Sequence, residues 1–380
     1  MTLLLLTFLV STLVTLWVVR TAHRHAHLSG DANTSGPQKF HQGVVPRIGG
    51  VGILAGLFAP VMWLWWIGKP EGTIGVVLLL CGLPAFFSGI VEDLTKNVAP
   101  SKRLFATLLS AGLASWLLGA TLNRADVPGV DWLMGITAVA VACTAVAVAG
   151  VANSVNIIDG FNGLASMCVM LMLAAFGLLA LMADDKLIAH LCLFSVMAVA
   201  GFFVWNYPRG LVFLGDGGAY FLGFWVAEMG VLLVVRNPEM SPLAALLVVI
   251  YPVFETVFSI YRRRFLRAVP PGLPDGIHLH SLIYRRLVRW AAGPRDSRSM
   301  TARNSAVAPY LWTLCLFSLV PAVLFWNNKP LLTASILSFG LTYWVLYWRI
   351  VRFRTPGFMR ATRKAVRRLM GLSGQRQSPP

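Results

Sequence analysis

Long apolar runs recur along the whole sequence and constrain the fold more than any other feature. Each run approaches the roughly 20 residues that an α-helix needs to cross about 30 Å of hydrocarbon. With 57% apolar and only 12% charged residues, the composition excludes a soluble globular domain. Eleven spans are predicted, over residues 3–19, 48–67, 74–91, 104–121, 133–152, 164–183, 187–205, 218–235, 242–260, 307–326 and 331–348. The fold class is therefore an all-α polytopic membrane protein, with a single transmembrane domain over 1–350 and a basic tail over 351–380.

The basic residues are distributed unequally between the two sides of such a protein. Alternate connections place 27 of the 32 Lys and Arg residues on one side and five on the other. Basic residues concentrate in cytoplasmic loops, so this asymmetry predicts an outer N-terminus and a cytoplasmic C-terminus. The net charge of +17 is explained in the same way, and no nucleic-acid partner is expected. The five cysteines fall inside apolar runs without paired spacing, which favours packing over disulfides or metal binding.

One predicted cytoplasmic turn is unusually polar. The segment NSVNIIDGFNGLA carries Asn153, Asn156, Asp159 and Asn162 at intervals of three residues between two apolar runs. Asn and Asp oxygens are the hard ligands that Mg²⁺ prefers, usually as one or two carboxylates together with substrate phosphates. The alternative is that these side chains cap helices and tie loops together.

Two further turns on the same side carry acidic residues. Glu92 and Asp93 end the third span, where adjacent carboxyl groups could share one interface and bind a cation. Asp216 lies between Gly215 and Gly217 just before a helix, where open backbone N–H groups suit phosphate oxygens. The structural alternative for Glu92 and Asp93 is that they merely end a helix. The alternative for the glycine-rich turn around Asp216 is that its glycines serve helix packing.

The longest connection on this side contains the segment PDGIHLHSLIYRR. His278 and His280 stand two residues apart and could bind phosphate or zinc, or simply be solvated. Arg47 and Arg103 lie at the start of the second and fourth spans and are candidate phosphate contacts. Carboxylates for a divalent cation, glycine-rich turns, histidines and arginines on one face together indicate the handling of a diphosphate.

These residues, in this order, resemble the polyprenyl-phosphate N-acetylhexosamine-1-phosphate transferase family, also called glycosyltransferase family 4. The resemblance covers nearly the whole chain. It rests on four motifs, and the RIGG segment at 47–50 resembles a further element. The four motifs are the acid pair Glu92 and Asp93, NSVNIIDGFNGL, FLGDGGAYFLG and DGIHLH. The predicted spans and outer N-terminus are more similar to the N-acetylglucosamine-1-phosphate branch than to the muramoyl-pentapeptide branch.

The resemblance implies a Mg²⁺-dependent enzyme, with Mn²⁺ as an alternative metal. It would transfer N-acetylhexosamine-1-phosphate from a UDP-sugar to polyprenyl phosphate at the cytoplasmic face of a bacterial inner membrane, releasing UMP. The expected roles are catalysis for Asp93 and Glu92, metal binding for Asp216, Asp159 and Asn156, and substrate binding for Asn153, Asn162, Gly215, Gly217, His278, His280, Arg103 and Arg47. A cell-surface polysaccharide or O-antigen would be the end product, and a homodimer is compatible with this picture.

The sequence departs from the family pattern at three positions. Glu92 stands where Asp is common, Asn162 where many bacterial members have a second Asp, and Ser281 where a further His is common. Asn cannot supply the negative charge that helps to hold Mg²⁺. Two alternatives therefore stay open: an inactive scaffold relative, and a transporter, for which Glu228 and Glu255 inside apolar spans are the best evidence.

Overall fold

The computed structural model describes residues 1–24, 45–266, 276–288 and 297–352, and throughout these residues the regular structure is helical. The predicted basic tail lies, from residue 353 onward, outside the described residues. The helices are α1 Thr2–Arg20, α2 Gly50–Trp66, α3 Pro70–Thr95, α4 Pro100–Leu118, α5 Val130–Met134, α6 Thr137–Ile158, α7 Leu164–Met182, α8 Lys186–Asn206, α9 Gly215–Arg236, α10 Pro242–Val248, α11 Ile250–Tyr261, α12 Leu279–Ile283, α13 Ser297–Ser305, α14 Ala308–Leu324 and α15 Lys329–Val351. Single π-helical turns follow α11 and α12, over Arg262–Leu266 and Tyr284–Val288.

When helices are counted as membrane spans by their length and hydropathy, fewer spans are found than the eleven predicted from the sequence. Among the described residues, eight helices are long and apolar enough to cross a bilayer, and the pair of α10 and α11, bent by 76°, is either a ninth, broken span or a re-entrant loop. The two remaining predicted spans correspond to α2, which has only 17 residues, and to α4. The structure thus supports a multi-pass membrane protein, and it establishes neither the count of eleven nor the orientation of the termini.

Helix α9 is the centre of the bundle. All of its residues from Gly215 to Val234 are buried, as expected for a helix enclosed by other helices. Small residues let its neighbours approach closely: a Cβ on Gly223 would lie 2.4 Å from the Cα of Ala152 in α6, and one on Gly50 in α2 would lie 2.4 Å from the Cα of Gly218. The sequence of α9 therefore determines how α2, α3 and α6 gather around its N-terminal end.

The break between α10 and α11 has a local cause. Pro252 has no backbone N–H, and its ring crowds the carbonyl of Val248 four residues earlier, so the helix cannot continue through Val249. The bend redirects α11, which carries Glu255, toward the segment that contains both predicted histidines.

Polar residues at the end of the bundle away from these histidines form their own ion pairs. Arg236 donates from Nε and Nη2 to Asp185, over 2.6 and 3.2 Å. Burial opposes ionisation of Asp185, but the Arg236 hydrogen bonds outweigh it and hold the pKa of this carboxyl below its usual value. Nearby, Asp126 accepts from Ser241 and lies 2.9 Å from Lys329. The basic residues Arg236 and Lys329 thus stabilise the connections between helices at this end of the bundle.

The cysteines are all free, and four of the five are buried. Cys143 is exposed on the surface of the bundle, so the expectation of core packing is wrong for that residue.

Candidate active site

The N-terminus of α9 is capped by the carboxylate of Asp93 from the end of α3. Its Oδ1 accepts from the backbone N–H of Asp216 at 3.1 Å and its Oδ2 from that of Gly217 at 3.0 Å. The first N–H groups of a helix lack partners within the helix and carry a partial positive charge, which a carboxylate matches. Asp93 is completely buried. Of the glycine N–H groups that the sequence suggested as open phosphate contacts, that of Gly217 is therefore already engaged by Asp93.

Gly215 allows this arrangement. Its φ of +77° lies in the left-handed region, and a Cβ there would fall 1.7 Å from the carbonyl oxygen of Arg47 and 2.6 Å from Oδ2 of Asp93. Gly217 is packed equally closely, since Gly89 of α3 lies directly against its backbone N–H. The structure thus gives both glycines a role in close packing around Asp93.

Two arginines contact Asp216, one at each carboxylate oxygen. Arg47 Nη2 lies 3.4 Å from Asp216 Oδ1, and Arg47 Nε lies 3.6 Å from Asp93 Oδ1. Arg103, near the start of α4, contacts Asp216 Oδ2 through Nη1. The segment before α2 holds Arg47 in place, because Pro46 accepts from the N–H of Phe213 at 2.9 Å. Two guanidinium groups and two carboxylates are thus concentrated within one small volume.

Tyr220 connects the polar end of α6 with this cluster of arginines and carboxylates. This tyrosine lies one helical turn beyond Asp216 on α9, and its hydroxyl donates to Oδ1 of Asn153 at 3.3 Å. It also hydrogen-bonds with the side chain of Asn156, and its ring centroid lies 5.7 Å from the guanidinium carbon of Arg103. Because residues three apart share one face of a helix, Asn153 and Asn156 both reach the same partner. Sequence reasoning missed Tyr220, although its position four residues after Asp216 was a usable signal.

Asp159 ends α6 beside the same cluster. Although the residue as a whole is only half-buried, desolvation of its carboxyl group raises the pKa to about 7, and the positive charge of Arg47 partly opposes this rise. A carboxyl group with this pKa changes its charge near neutral pH.

Glu92 does not share the position of its neighbour Asp93. Its Oε2 accepts from the N–H of Val98 at 2.7 Å and so closes the turn after α3, and the residue remains partly exposed. Consecutive helical residues point about 100° apart, which explains why the two carboxyl groups separate. In the structure, the carboxyl groups of Glu92 and Asp93 therefore do not form a paired site.

Asn162 lies in a different environment from the three polar residues before it. It is buried, its N–H donates to Asn304 Oδ1 at 2.8 Å, and its Nδ2 donates to the carbonyl of Pro208 and to Ser305 Oγ. These bonds tie the turn after α6 to the turn after α8 and to the end of α13. The predicted substrate contact is thus a structural cross-link, and the alternative of loop tying holds for this residue.

The histidine segment approaches the site from α12. His278 and His280 are buried, and their rings stack with centroids 5.2 Å apart. His280 lies against Gly160, next to Asp159, where an added Cβ would come within 3.2 Å of Nε2. The predicted histidines therefore join the Asp159 turn, although they are distant from it in sequence.

Comparison with known proteins agrees with this geometry. Residues 75–234 match the profile of glycosyl transferase family 4. A probable undecaprenyl-phosphate N-acetylglucosaminyl 1-phosphate transferase of Bacillus subtilis (strain 168) is 26% identical over 274 residues, covering 72% of this chain and 75% of that protein. The undecaprenyl-phosphate alpha-N-acetylglucosaminyl 1-phosphate transferase of Escherichia coli (strain K12) is 27% identical over 301 residues, covering 74% and 79%. The family-model match and these two relatives support an assignment of this chain to glycosyl transferase family 4.

The family match includes most of the site described above. It contains Asp93, Arg103, the polar end of α6 and the start of α9, whereas Arg47 and the histidine segment lie outside residues 75–234. Contacts in the folded chain bring both of these outer segments to the family region, through Asp216 and Gly160.

The donor set in this family site fits a magnesium ion bound together with substrate. Within the described ranges, no group of three or more His, Cys, Asp or Glu side chains converges on one point as a metal cage. Mg²⁺ does not require such a cage, because it commonly takes one or two carboxylates and completes its shell with water and substrate phosphates. Asp216, Asp159 and Asn156 offer two carboxylates and one amide oxygen at this end of the bundle.

Proposed function

We propose that this protein transfers N-acetylhexosamine-1-phosphate from a UDP-sugar to polyprenyl phosphate, undecaprenyl phosphate in bacteria, at the cytoplasmic face of the inner membrane. The observation that carries the proposal is Asp216, flanked by Arg47 and Arg103 and fixed through its own N–H by Asp93. The names of the two relatives support the same lipid acceptor and the same transferred group. The product would start a cell-surface polysaccharide or O-antigen.

The reaction exchanges one phosphoanhydride bond for another. An oxygen of the lipid phosphate attacks the phosphorus that bears the sugar, and the bond from this phosphorus to the oxygen of the UMP phosphate breaks. UMP leaves with that oxygen, and the sugar remains on the new lipid diphosphate. Because a lipid phosphate is already largely ionised near pH 7, the protein mainly has to position the two phosphates and stabilise their charge.

Each part of the site has a task in this scheme. Mg²⁺, held by Asp216 with Asp159 or Asn156, would neutralise charge on the diphosphate when it is bound. Arg47 and Arg103 contribute positive charge that recognises phosphate oxygens. Asp93 orients the start of α9, and with it Asp216, rather than accepting a proton.

The remaining predicted residues border this centre. Asn153 orients Tyr220, and Glu92 shapes the turn after α3 next to Asp93. His278 and His280 form the wall beside the Asp159 turn, where we place the sugar nucleotide.

The test is transfer of labelled sugar phosphate from UDP-GlcNAc to polyprenyl phosphate by the purified protein, with UMP release measured in parallel. Asp216→Asn and Arg103→Gln are expected to lower kcat/KM by about a hundredfold or more, because the first weakens the hold on Mg²⁺ and the second removes a positive charge that would stabilise the transferring phosphate. Raising Mg²⁺ should partly restore Asp216→Asn. Asp184→Asn is the matched control, since Asp184 is exposed and, among the described residues, its carboxylate forms an ion pair only with Lys186 at the start of α8.

Full activity in Asp216→Asn and Arg103→Gln would refute the assignment. The same assay separates the alternatives, because a transporter or an inactive scaffold releases no UMP. Glu255 has hydrogen-bonding partners in the fold, so it no longer favours a transporter. Glu228 is then the remaining residue that favours this alternative. A panel of UDP-N-acetyl sugars then identifies the preferred donor.

A further inference from the structure

Two glutamates are buried inside apolar helices, and their surroundings differ sharply. Glu228 in α9 has no hydrogen-bond partner for either carboxyl oxygen within the part of the chain that the structure describes. Glu255 in α11 is equally buried but makes three hydrogen bonds. Since a buried carboxylate is costly unless it is paired, a fully satisfied one in an apolar helix indicates a specific task.

The partners of Glu255 come from the histidine segment and from α15. Its Oε1 lies 3.0 Å from Nδ1 of His278 and accepts from the N–H of Leu279, also over 3.0 Å. Its Oε2 accepts from the hydroxyl of Tyr343 at 2.6 Å. Because a carboxylate can only accept, the Nδ1 atom of His278 carries a proton, and the orientation of the ring is fixed.

Arg262 forms a second connection between the histidine segment and α15, one helical turn after Tyr343. Arg262 donates from Nη1 to the carbonyl of Ile277 at 2.6 Å and to the hydroxyl of Tyr347 at 2.7 Å. Tyr343 and Tyr347 are four residues apart on α15, so both hydroxyls lie on one face of that helix. The backbone just before α12 is therefore held between α11 and α15.

The fixed ring of His278 in turn positions His280 at the candidate active site. It stacks on His280 with an interplanar angle of 17°, and His280 in turn lies against Gly160 beside Asp159. A continuous series of contacts thus connects Glu255, inside the bent span, with the turn that carries a proposed metal ligand.

We propose that Glu255, together with Tyr343, is a positioning residue of the active site that fixes His278 and, through the stacked rings, holds His280 against the Asp159–Gly160 turn. The proposal rests on the function proposed above, because the bound species in that region is the diphosphate of the UDP-sugar. It also replaces the interpretation of Glu255 as a transport residue. Glu255 does not touch substrate and acts only through the histidines.

The experiment compares Glu255→Leu, Glu255→Gln and Tyr343→Phe with the matched control Glu228→Gln, which changes a buried glutamate that lacks these contacts. The first readout is independent of activity: modification of individual histidines by diethyl pyrocarbonate, followed by mass spectrometry of peptides. In Glu255→Leu we expect the modification rate of His278 to rise about tenfold, the size expected for losing a hydrogen bond to a charged group. His190, which pairs with Glu71, is the internal reference and should not change.

The second readout is the kinetics of transfer. In Glu255→Gln, which keeps the side-chain volume, we expect the KM for the UDP-sugar to rise about tenfold while the KM for polyprenyl phosphate stays unchanged. Tyr343→Phe removes one of three hydrogen bonds and should give a smaller change in the same direction. Glu228→Gln should retain both KM values. A merely structural loss would lower the active fraction, and hence kcat, without separating the two KM values.

Unchanged labelling of His278 in Glu255→Leu overturns the proposal, and so does an equal rise in Glu228→Gln. Faster labelling with an unchanged KM for the UDP-sugar also overturns it, because the network would then support the fold alone. Failure of the proposed function is a different result: the wild-type protein would then transfer no sugar phosphate and release no UMP.

Discussion

Replacing Asp93 by Asn tests whether this acid is a helix cap or a catalytic group. The substitution keeps the shape of the side chain but leaves one oxygen to accept from two backbone N–H groups, those of Asp216 and Gly217. The new amide N–H₂ must then face a backbone N–H, so two donors oppose each other in a fully buried position. The substitution also removes the negative charge 3.6 Å from Nε of Arg47.

The cost follows from these contacts. A hydrogen bond to a charged group contributes about 1.5 to 3 kcal/mol, and breaking a buried charged arrangement by removing one partner typically costs about 3 to 5 kcal/mol. We therefore expect Asp93→Asn to lower the free energy of unfolding by about 3 to 5 kcal/mol, which corresponds to a fall in Tm on the order of 10 °C. Activity should fall as well, because the N-terminus of α9 carries Asp216.

The assay is thermal unfolding of purified protein in nanodiscs, with transfer activity measured on the folded fraction. The neighbouring change Glu92→Gln is the matched control, because Glu92 is partly exposed and accepts a single hydrogen bond from Val98. It should cost about 1 kcal/mol. A Tm for Asp93→Asn within about 2 °C of wild type, combined with loss of activity, would refute the capping argument and restore a direct catalytic role.

Three further predictions follow from individual residues. Asn162→Asp loses the donations to Pro208 and Ser305 and should cost about 2 kcal/mol in thermal or denaturant unfolding without strengthening Mg²⁺ binding; tighter binding would identify residue 162 as a metal ligand. Because Asp159 can act as a proposed Mg²⁺ ligand only when ionised, and its pKa is raised to about 7, the Mg²⁺ concentration for half-maximal activity should fall roughly tenfold from pH 6 to pH 8 in wild type and stay flat in Asp159→Asn; equal slopes in both proteins would contradict this role of Asp159. Gly215→Ala should destabilise the fold by more than about 3 kcal/mol because of its positive φ and its contact with Arg47, whereas Gly112→Ala, in a helix with open space around it, should stabilise by about 0.5 to 1 kcal/mol; similar Tm values would refute the strain argument.

Features that depend on local sequence were predictable. Apolar runs of about 20 residues specify membrane helices because each span must satisfy its own backbone hydrogen bonds. The spacing of Asn153, Asn156 and Asp159 places them toward one side of a helix end, and the order of the motifs identified the family. The same reasoning is not confirmed where a predicted span is short or carries basic residues, as in α2 and α4, because neither helix meets the length and hydropathy of a membrane span.

The tertiary structure decided what each polar residue does. Side-chain direction separates Glu92 from Asp93, long-range hydrogen bonds make Asn162 a cross-link, and a proline-induced bend brings Glu255 to His278. By itself, the sequence determined the helices, their membrane environment and the set of candidate residues, because these follow from local composition and periodicity. Which carboxylates cap a helix, position a histidine or remain for a metal depends on contacts between residues more than a hundred positions apart, or across a bent span, and only the folded chain creates them.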